Sequence, residues 1–385
     1  MRSIIPALLF LLVLALTFRI DLYFTIVWFL IGLYVLSRLW TRRAAQSLSV
    51  QRRFPARAFN GDHITVELSL RNRSRLPVPW VEVEESVPIE MRETAVPSQA
   101  FALSSRGHRE WSYTLACRHR GYYRLGPLRT QTGDLLGLEQ RLILLQEDRY
   151  LTVYPRVVPL DRLGLPTRSA LTSLPARMPL FDDPSRIMGV RDYRAGDSPR
   201  RIHWPATART GSVLVKQYQP AIARDTHICL DLALRGYPLR ERHAATEMAI
   251  VAAASLAYHI IVREGLPAGL AVLGSVPVSF PPRAERYHLI EMLEALARVT
   301  VTSEGGFTDL LRRESLHLPW GSTMLAITGQ IEPTLAAMLL HLKRTGHAVG
   351  VVVLQRGSVG AEEQARLPGI PVHHVWQDLD LGALA

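Results

Sequence analysis

Two uncharged apolar runs open this chain, and they constrain it more than anything that follows. Residues 4–18 read IIPALLFLLVLALTF and residues 22–37 read LYFTIVWFLIGLYVLS, with only Arg19-Ile20-Asp21 between them. Each is slightly shorter than the ~20 residues that span a hydrocarbon core, a gap that flanking residues and snorkelling arginines close. A charged break between two such runs predicts a tight helical hairpin over residues 1–43, not one long helix. A cleaved signal peptide would use Arg2 and the first run, but no small-x-small cleavage site follows and a second apolar run does. Arg38, Arg42, Arg43, Arg52 and Arg53 crowd the C-terminal flank, against Arg2 alone before the spans. The positive-inside rule therefore places the remainder in the cytoplasm, hung from the inner membrane through residues 4–37.

The whole chain is long enough for two or three domains at roughly 150 residues each. Of its 385 residues, 45 are basic and 34 acidic, giving a formal charge of +11. Lys216 and Lys343 are the only lysines, and no zinc-finger, homeodomain or aromatic-rich RNA motif accompanies the arginines. The basicity is thus general, and no nucleic-acid partner is expected. Cys117 and Cys229 lie far apart in no metal-binding spacing, which excludes a disulfide scaffold and a zinc ribbon and suits a reducing compartment.

From residue 48 to 156 the apolar period is two. Ile64, Val66, Leu68 and Leu70 alternate with Thr65, Glu67 and Ser69 after an Asn60-Gly61-Asp62 turn, and Gly121, Gly126-Pro127 and Gly133-Asp134 punctuate further short segments. Such spacing predicts an all-β, sandwich-like domain. Glu82, Glu84 and Glu85 on one of its strands read as a solvated face. Residues 157–187, with five prolines and little periodicity, read as a connector. Over residues 222–385 short apolar strands (227–231, 269–273, 323–328, 348–354, 372–375) alternate with helical spacing (240–264, 284–299, 332–344). Alternation of this kind predicts an open, mostly parallel α/β sheet with helices on both faces, so the whole is an α+β multidomain chain. Ligands of such sheets gather at the carboxyl ends of strands, here near Asp231, Ser275 and Thr328-Gly329. Neither GxGxxG after the first strand nor GxxxxGK[ST] occurs.

The densest motif lies in residues 188–221, GVRDYRAGDSPRRIHWPATARTGSVLVKQY from Gly189 to Tyr218. Ala195-Gly196-Asp197 reads as a turn and Ser198 as the cap of a helix with Pro199 first. Arg200, Arg201, His203 and Trp204 then share about one turn, which Pro205 ends. Between Ser185 and Gln217 seven basic residues stand against Asp192 and Asp197. Arg200 and Arg209 could bridge to Asp192, Asp197 or Asp231 and fasten the motif to the sheet, or present a surface to an acidic partner. A hydrolase built on Asp197, His203 and Asp231 is the rival reading. No GxSxG elbow supports it, and a structural histidine beside Trp204 is the plainer one.

At Gly189, Asp192, Tyr193, Gly196, Asp197, Arg200, Ile202, Trp204, Thr207, Ala208, Arg209 and Gly211 the sequence resembles the prokaryotic family catalogued as domain of unknown function 58. RGYYRLGPL, DLLGL and TVYPR upstream are also similar to it. The resemblance implies a membrane hairpin, a β-rich domain and a von Willebrand factor A-like α/β domain. It also implies a protein partner, a MoxR-type AAA+ ATPase, and a role as a bacterial membrane-tethered scaffold with no enzymatic activity and no cofactor. Von Willebrand factor A-like domains bind a metal through Asp-x-Ser-x-Ser and later Thr and Asp residues, whereas this chain has Asp231-Leu232-Ala233-Leu234-Arg235 and Thr328-Gly329. Ala233 offers no oxygen and Arg235 repels a cation, so no bound metal is expected. A rearranged site recruiting Thr328, Ser275 or Asp225, for metal-dependent adhesion or hydrolysis through Asp231, is the alternative.

Overall fold

The computed structural model describes residues 13, 17, 21–92, 98–134, 140–146, 148–160, 182–193, 202–220, 225–319, 321–356 and 365–382. The chain divides into two compact units, Met1–Arg156 and Val157–Ala385. It is a mixed α+β protein with an apolar helix near its N-terminus and several sheets.

Helix α1 (Asp21–Ser47) is 27 residues long and apolar enough over Leu22–Ser47 to cross a bilayer. Of the first apolar run, only Val13 and Thr17 belong to the described residues, so the expected hairpin partner of α1 lies outside them. The helix also runs past residue 43, where the sequence reading ended the anchor, because Trp40 and Ala44 pack into the core of the β-unit.

That unit follows period-two patterning. Strand β1 (Leu48–Arg53), β3 (His63–Asn72) and β6 (His108–Ala116) form one antiparallel sheet in the order β1-β3-β6. A second has the order β5-β4-β8-β9, from β4 (Val78–Glu85), β5 (Ser98–Leu103), β8 (Leu128–Gly133) and β9 (Gln140–Gln146). Leu68 and Leu70 of the first sheet share a core with Val81, Val83 and Leu128 of the second. A third sheet sets β10 (Arg149–Tyr154) between β2 (Arg57–Phe59) and β7 (Gly121–Leu125) and covers Ile64, Val66 and Leu115.

One expectation fails here. Glu85 is not on a solvated face: it is fully buried, ion-paired with Arg52 (0% and 1% exposed side chains) and bonded by the Tyr113 hydroxyl. Burial drives the Tyr113 hydroxyl pKa well above its usual value, with the Glu85 charge adding to the shift. Strand parity is the reason. Glu85 lies two residues beyond Val83 and four beyond Val81, both buried, whereas Glu84 faces solvent.

In the second unit β11 (Asp182–Asp192) and β12 (Leu214–Pro220) form an antiparallel ribbon. A six-stranded sheet then takes the order β15-β14-β13-β16-β17-β18. Its strands are β13 (Thr226–Asp231), β14 (Ala268–Leu273), β15 (Val278–Arg283), β16 (Thr323–Thr328), β17 (Ala348–Val353) and β18 (Val372–His374). All neighbours are parallel except β15, which pairs antiparallel with β14 at the edge. Helix α3 (Arg242–Tyr258), extended by a π-helical turn at His259–Arg263, packs on β13, β14 and β16, and α4 (Arg286–Arg298) packs beside it. Cys229, Ala271, Met324, Ala326 and Val351 instead meet α5 (Phe307–Ser315) and α6 (Pro333–Arg344). A last short helix, α7 (Asp378–Gly382), follows β18. By apolar length alone α3 would qualify as a membrane span, but it is mostly buried and is the core helix of this unit.

Candidate functional site

The carboxyl edge of the parallel strands gathers its polar groups around Asp231. Strand β13 is buried at every position and delivers Asp231 to its end, where the side chain is 5% exposed. Asp231 Oδ1 accepts the Ala233 N–H at 2.9 Å, and Oδ2 accepts the Thr328 hydroxyl at 3.1 Å from the end of neighbouring β16. The buried Tyr237 hydroxyl donates to the Asp231 carbonyl at 2.5 Å. Burial pushes the Asp231 pKa up to about 6. The Ala233 and Thr328 hydrogen bonds and the Arg235 charge partly offset this, and Glu332 adds to it.

Two glycines let the loops close over this acid. A Cβ on Gly236 would stand 2.9 Å from Asp231 Oδ2, and one on Gly329 would stand 2.4 Å from both the Gly236 carbonyl oxygen and the Tyr237 ring. The position where a second metal-binding acid was sought, Gly329, thus has no room for any side chain. Arg235 turns its guanidinium to the Gly305 carbonyl.

The donor set does not suit a divalent cation. It offers one carboxylate with both oxygens engaged, a threonine and a methyl group, with a guanidinium close by. No cluster of three His, Cys, Asp or Glu residues suited to a metal occurs among the described residues. Of the alternative ligands only Thr328 reaches Asp231. Ser275 shares a 2.7 Å hydrogen bond with Thr300, and Asp225 precedes β13, at the opposite end of the strand from Asp231.

The motif of residues 188–221 folds differently from the sequence reading. Gly196, Asp197, Ser198, Arg200 and Arg201 lie outside the described residues. The helix expected to end at Pro205 instead begins there: α2 (Trp204–Thr210) has Pro205 in its first turn and His203 as its N-cap. His203 Nδ1 accepts the Ala206 N–H at 3.1 Å, so the histidine satisfies one of the donors that every helix start leaves open. Proline is tolerated in a first turn because its missing N–H would have no partner there, which explains the misplacement. Gly211 closes α2 in the left-handed conformation at φ 73°, which a residue without Cβ adopts at least cost.

The ends of this motif converge on the start of β12. Tyr193 N–H donates to the Val213 carbonyl, His203 N–H to the Leu214 carbonyl, and the Leu214 N–H to Thr207 Oγ1 at 3.0 Å. Asp192 pairs with Leu214 across the ribbon, and Gly189 lies beside a register shift in β11. Trp204 is 67% exposed, and Val190, Tyr193 and Val213 are exposed with it. Arg209 is exposed as well, and Asp197, one of the three acids expected to pair with it, lies outside the described residues. The result is a hydrogen-bonded ribbon-and-helix platform carrying exposed aromatic and aliphatic side chains.

Sequence reasoning missed a second buried polar group. His227 Nε2 and the Ser279 hydroxyl both meet Glu314 Oε2, at 3.1 and 3.0 Å. The His227 contact, with Ser279 and the Arg313 charge, holds the Glu314 carboxyl below its ordinary range against burial. Only the histidine within the apolar run HICLD could have signalled it.

The chain is 25% identical over 303 residues to the "Uncharacterized protein YeaD" of Bacillus subtilis (strain 168), covering 77% of this chain and 72% of that one. Among solved structures, the CARDB domain of PF1109 from Pyrococcus furiosus covers 28% of the chain at 12% identity and a TM-score of 0.20, and 86% of that domain is matched. A cohesin module from Clostridium perfringens covers 29% at 11% identity and a TM-score of 0.23, with 98% of the module matched. At those scores neither likeness bears on fold or function. Residues 189–355, from the ribbon through β17, match the family model described as "Protein of unknown function DUF58".

Proposed function

We propose that this chain is a membrane-anchored scaffold that docks a protein partner through the platform of β11, α2 and β12. The observation that carries this reading is the exposure of Trp204, Tyr193, Val190 and Val213 on a hydrogen-bonded frame beside a basic motif. Apolar groups held rigidly in water are a hallmark of interaction surfaces, and aromatic residues with arginine are the side chains such surfaces favour. The apolar helix α1 supports anchoring, with the arginine flank favouring a cytoplasmic, inner-membrane orientation. The six-stranded order, with Asp231 ending a central parallel strand, supports a von Willebrand factor A-like domain whose metal site has been replaced by internal hydrogen bonds. The family resemblance read from the sequence motif makes a MoxR-type AAA+ ATPase the partner to seek first. Catalysis is disfavoured, because His203 uses its Nδ1 acceptor as a helix cap and Asp231 is buried.

The test is cross-linking and mass spectrometry on tagged full-length protein from mild detergent. Wild type is compared with Tyr193→Ala/Trp204→Ala and with Arg200→Ala/Arg201→Ala, after thermal melts show that all three fold. Enrichment of an AAA+ ATPase by the wild type and its loss in the aromatic variant supports the platform as docking site. Equal recovery from every variant makes the motif structural. If the wild type captures no partner, the scaffold reading fails.

A further inference from the structure

Helix α1 does not stop where its apolar stretch does. Leu22, Trp28, Phe29, Leu36 and Leu39 are exposed along its first five turns. The two turns that follow are built for protein contact: Thr41 and Ala44 are buried, and the Trp40 indole N–H donates to the Pro77 carbonyl at 3.1 Å. At 1.5 Å per residue, the helix travels only about 12 Å from Leu39 to Ser47. One end of the β-sandwich is therefore fixed beside the place where the apolar surface runs out.

That end is a single hydrogen-bonded cap. The Ser47 carbonyl accepts the Arg73 N–H at 2.9 Å. Buried Asn72 donates from Nδ2 to the Leu76 and Ser104 carbonyls at 2.8 and 2.9 Å, and the Arg106 N–H reaches the Ser74 carbonyl at 2.9 Å. Loop 73–77 and turn 104–107 are thereby locked against each other and against the helix. From them project Arg73, Arg75 and Arg106, and from the helix Arg38, Arg42 and Arg43, all exposed. None of the six is ion-paired with a described residue, and residues 38–47, 73–77 and 104–107 contain no Asp or Glu. Arg106 holds a left-handed φ of 55°, uncommon for a side chain of its size, within this cap.

We infer that this arginine collar binds the anionic phospholipid headgroups of the bilayer that α1 enters, seating the cap of the sandwich on the lipid surface. The inference rests on the anchoring reading above. Guanidinium groups match phosphate oxygens in paired hydrogen bonds, and a basic ring just beyond an apolar span meets headgroup phosphates at their own depth. An apolar helix immediately below the collar specifies a bilayer rather than a soluble polyanion.

The experiment reconstitutes the full chain in nanodiscs of phosphatidylcholine with one-fifth phosphatidylglycerol and measures the co-isolated lipids by native mass spectrometry. Wild type is compared with Arg73→Gln/Arg75→Gln/Arg106→Gln, which keeps the three helix arginines and hence insertion. Hydrogen exchange of 73–77 and 104–107 is followed in parallel, with and without phosphatidylglycerol. The expected result is phosphatidylglycerol enrichment around the wild type that falls at least threefold in the variant. Slowed exchange of the two segments should appear only in anionic discs. Equal enrichment by both proteins overturns the collar, as does equal protection by soluble glycerol phosphate in neutral discs. A wild type that fails to enter discs of any composition overturns the anchor itself, an outcome seen separately from the other two.

Discussion

Thr328 Oγ1 donates to Asp231 Oδ2 across 3.1 Å and joins the carboxyl ends of two neighbouring parallel strands. The bond occupies an oxygen that a metal would need, and the acid is held by protein groups in a site largely closed to water. Its chemistry is that of a buried carboxyl, which sets how the unit responds to pH.

Folded Asp231 keeps its proton up to about pH 6, against 3.8 for the unperturbed group. Between those values the folded state binds more protons than the unfolded one, so stability falls as pH rises through that window. The ionised acid therefore costs about 2–3 kcal/mol at neutral pH. Asp231→Asn should raise the melting temperature by several degrees at pH 8 and leave it nearly unchanged at pH 4. An equal shift at both pH values would refute this account.

An acid introduced at Gly329 should not create a metal site. Gly329→Asp places a Cβ against the Gly236 carbonyl and the Tyr237 ring, both 2.4 Å away. Overpacking of this kind costs about 1–3 kcal/mol, visible as a lower denaturation midpoint in urea. Calorimetric titration with Mg²⁺ or Ca²⁺ should show no gain in binding; a new Asp231-dependent heat signal would show that the loops can part.

His203 should behave as a cap. Leucine there leaves the Ala206 N–H open and should cost about 1 kcal/mol, read from melts and from faster proteolysis of residues 202–214. Asparagine, a good capping residue, should restore most of the loss. If His203→Asn is as unstable as His203→Leu, the capping role is wrong.

In the β-unit, Glu85→Leu removes the carboxylate that pairs with the buried Arg52 and should cost about 3–5 kcal/mol. Changing all three members, as Arg52→Met/Glu85→Leu/Tyr113→Phe, should cost less than the single substitution, because the buried charge leaves together with the carboxylate and the hydroxyl of the network. Denaturant midpoints decide it, and a triple variant less stable than the single one would show that the network is a net stabiliser.

The strands and helices of the six-stranded sheet were legible because each is one uninterrupted apolar period; Thr323–Thr328 was placed to the residue. Two elements were not. Strand β15 carries Pro281-Pro282, which reads as a break, yet an edge strand bonded along one side tolerates it. Helix α5 has only nine residues, with Arg312, Arg313 and Glu314 diluting its apolar side. At the site, Asp231 and Thr328 were both named from strand ends, while Tyr237 and Gly236 were not, since nothing local says that a loop will fold back over the strand it leaves. Grouped with its neighbours in sequence, Glu85 reads as solvated, whereas parity places it with Val81 and Val83. Proline is a signal at both ends of a helix, so Pro205 and His203 read as a helix end although they form the start of α2.

The unbroken course of α1 from apolar stretch into sandwich core has a mechanical meaning. No loop intervenes between Leu39 and the packed residues Trp40 and Ala44, so a tilt of the helix is passed to the sandwich without a hinge in the chain. A helix that leans by ~20° to match a thinner bilayer swings a point about 30 Å from its pivot sideways by about 10 Å. With α1 in a bilayer as proposed, bilayer thickness would set the attitude of the β-unit, and a change in lipid chain length at the base would be felt as a displacement at its far rim.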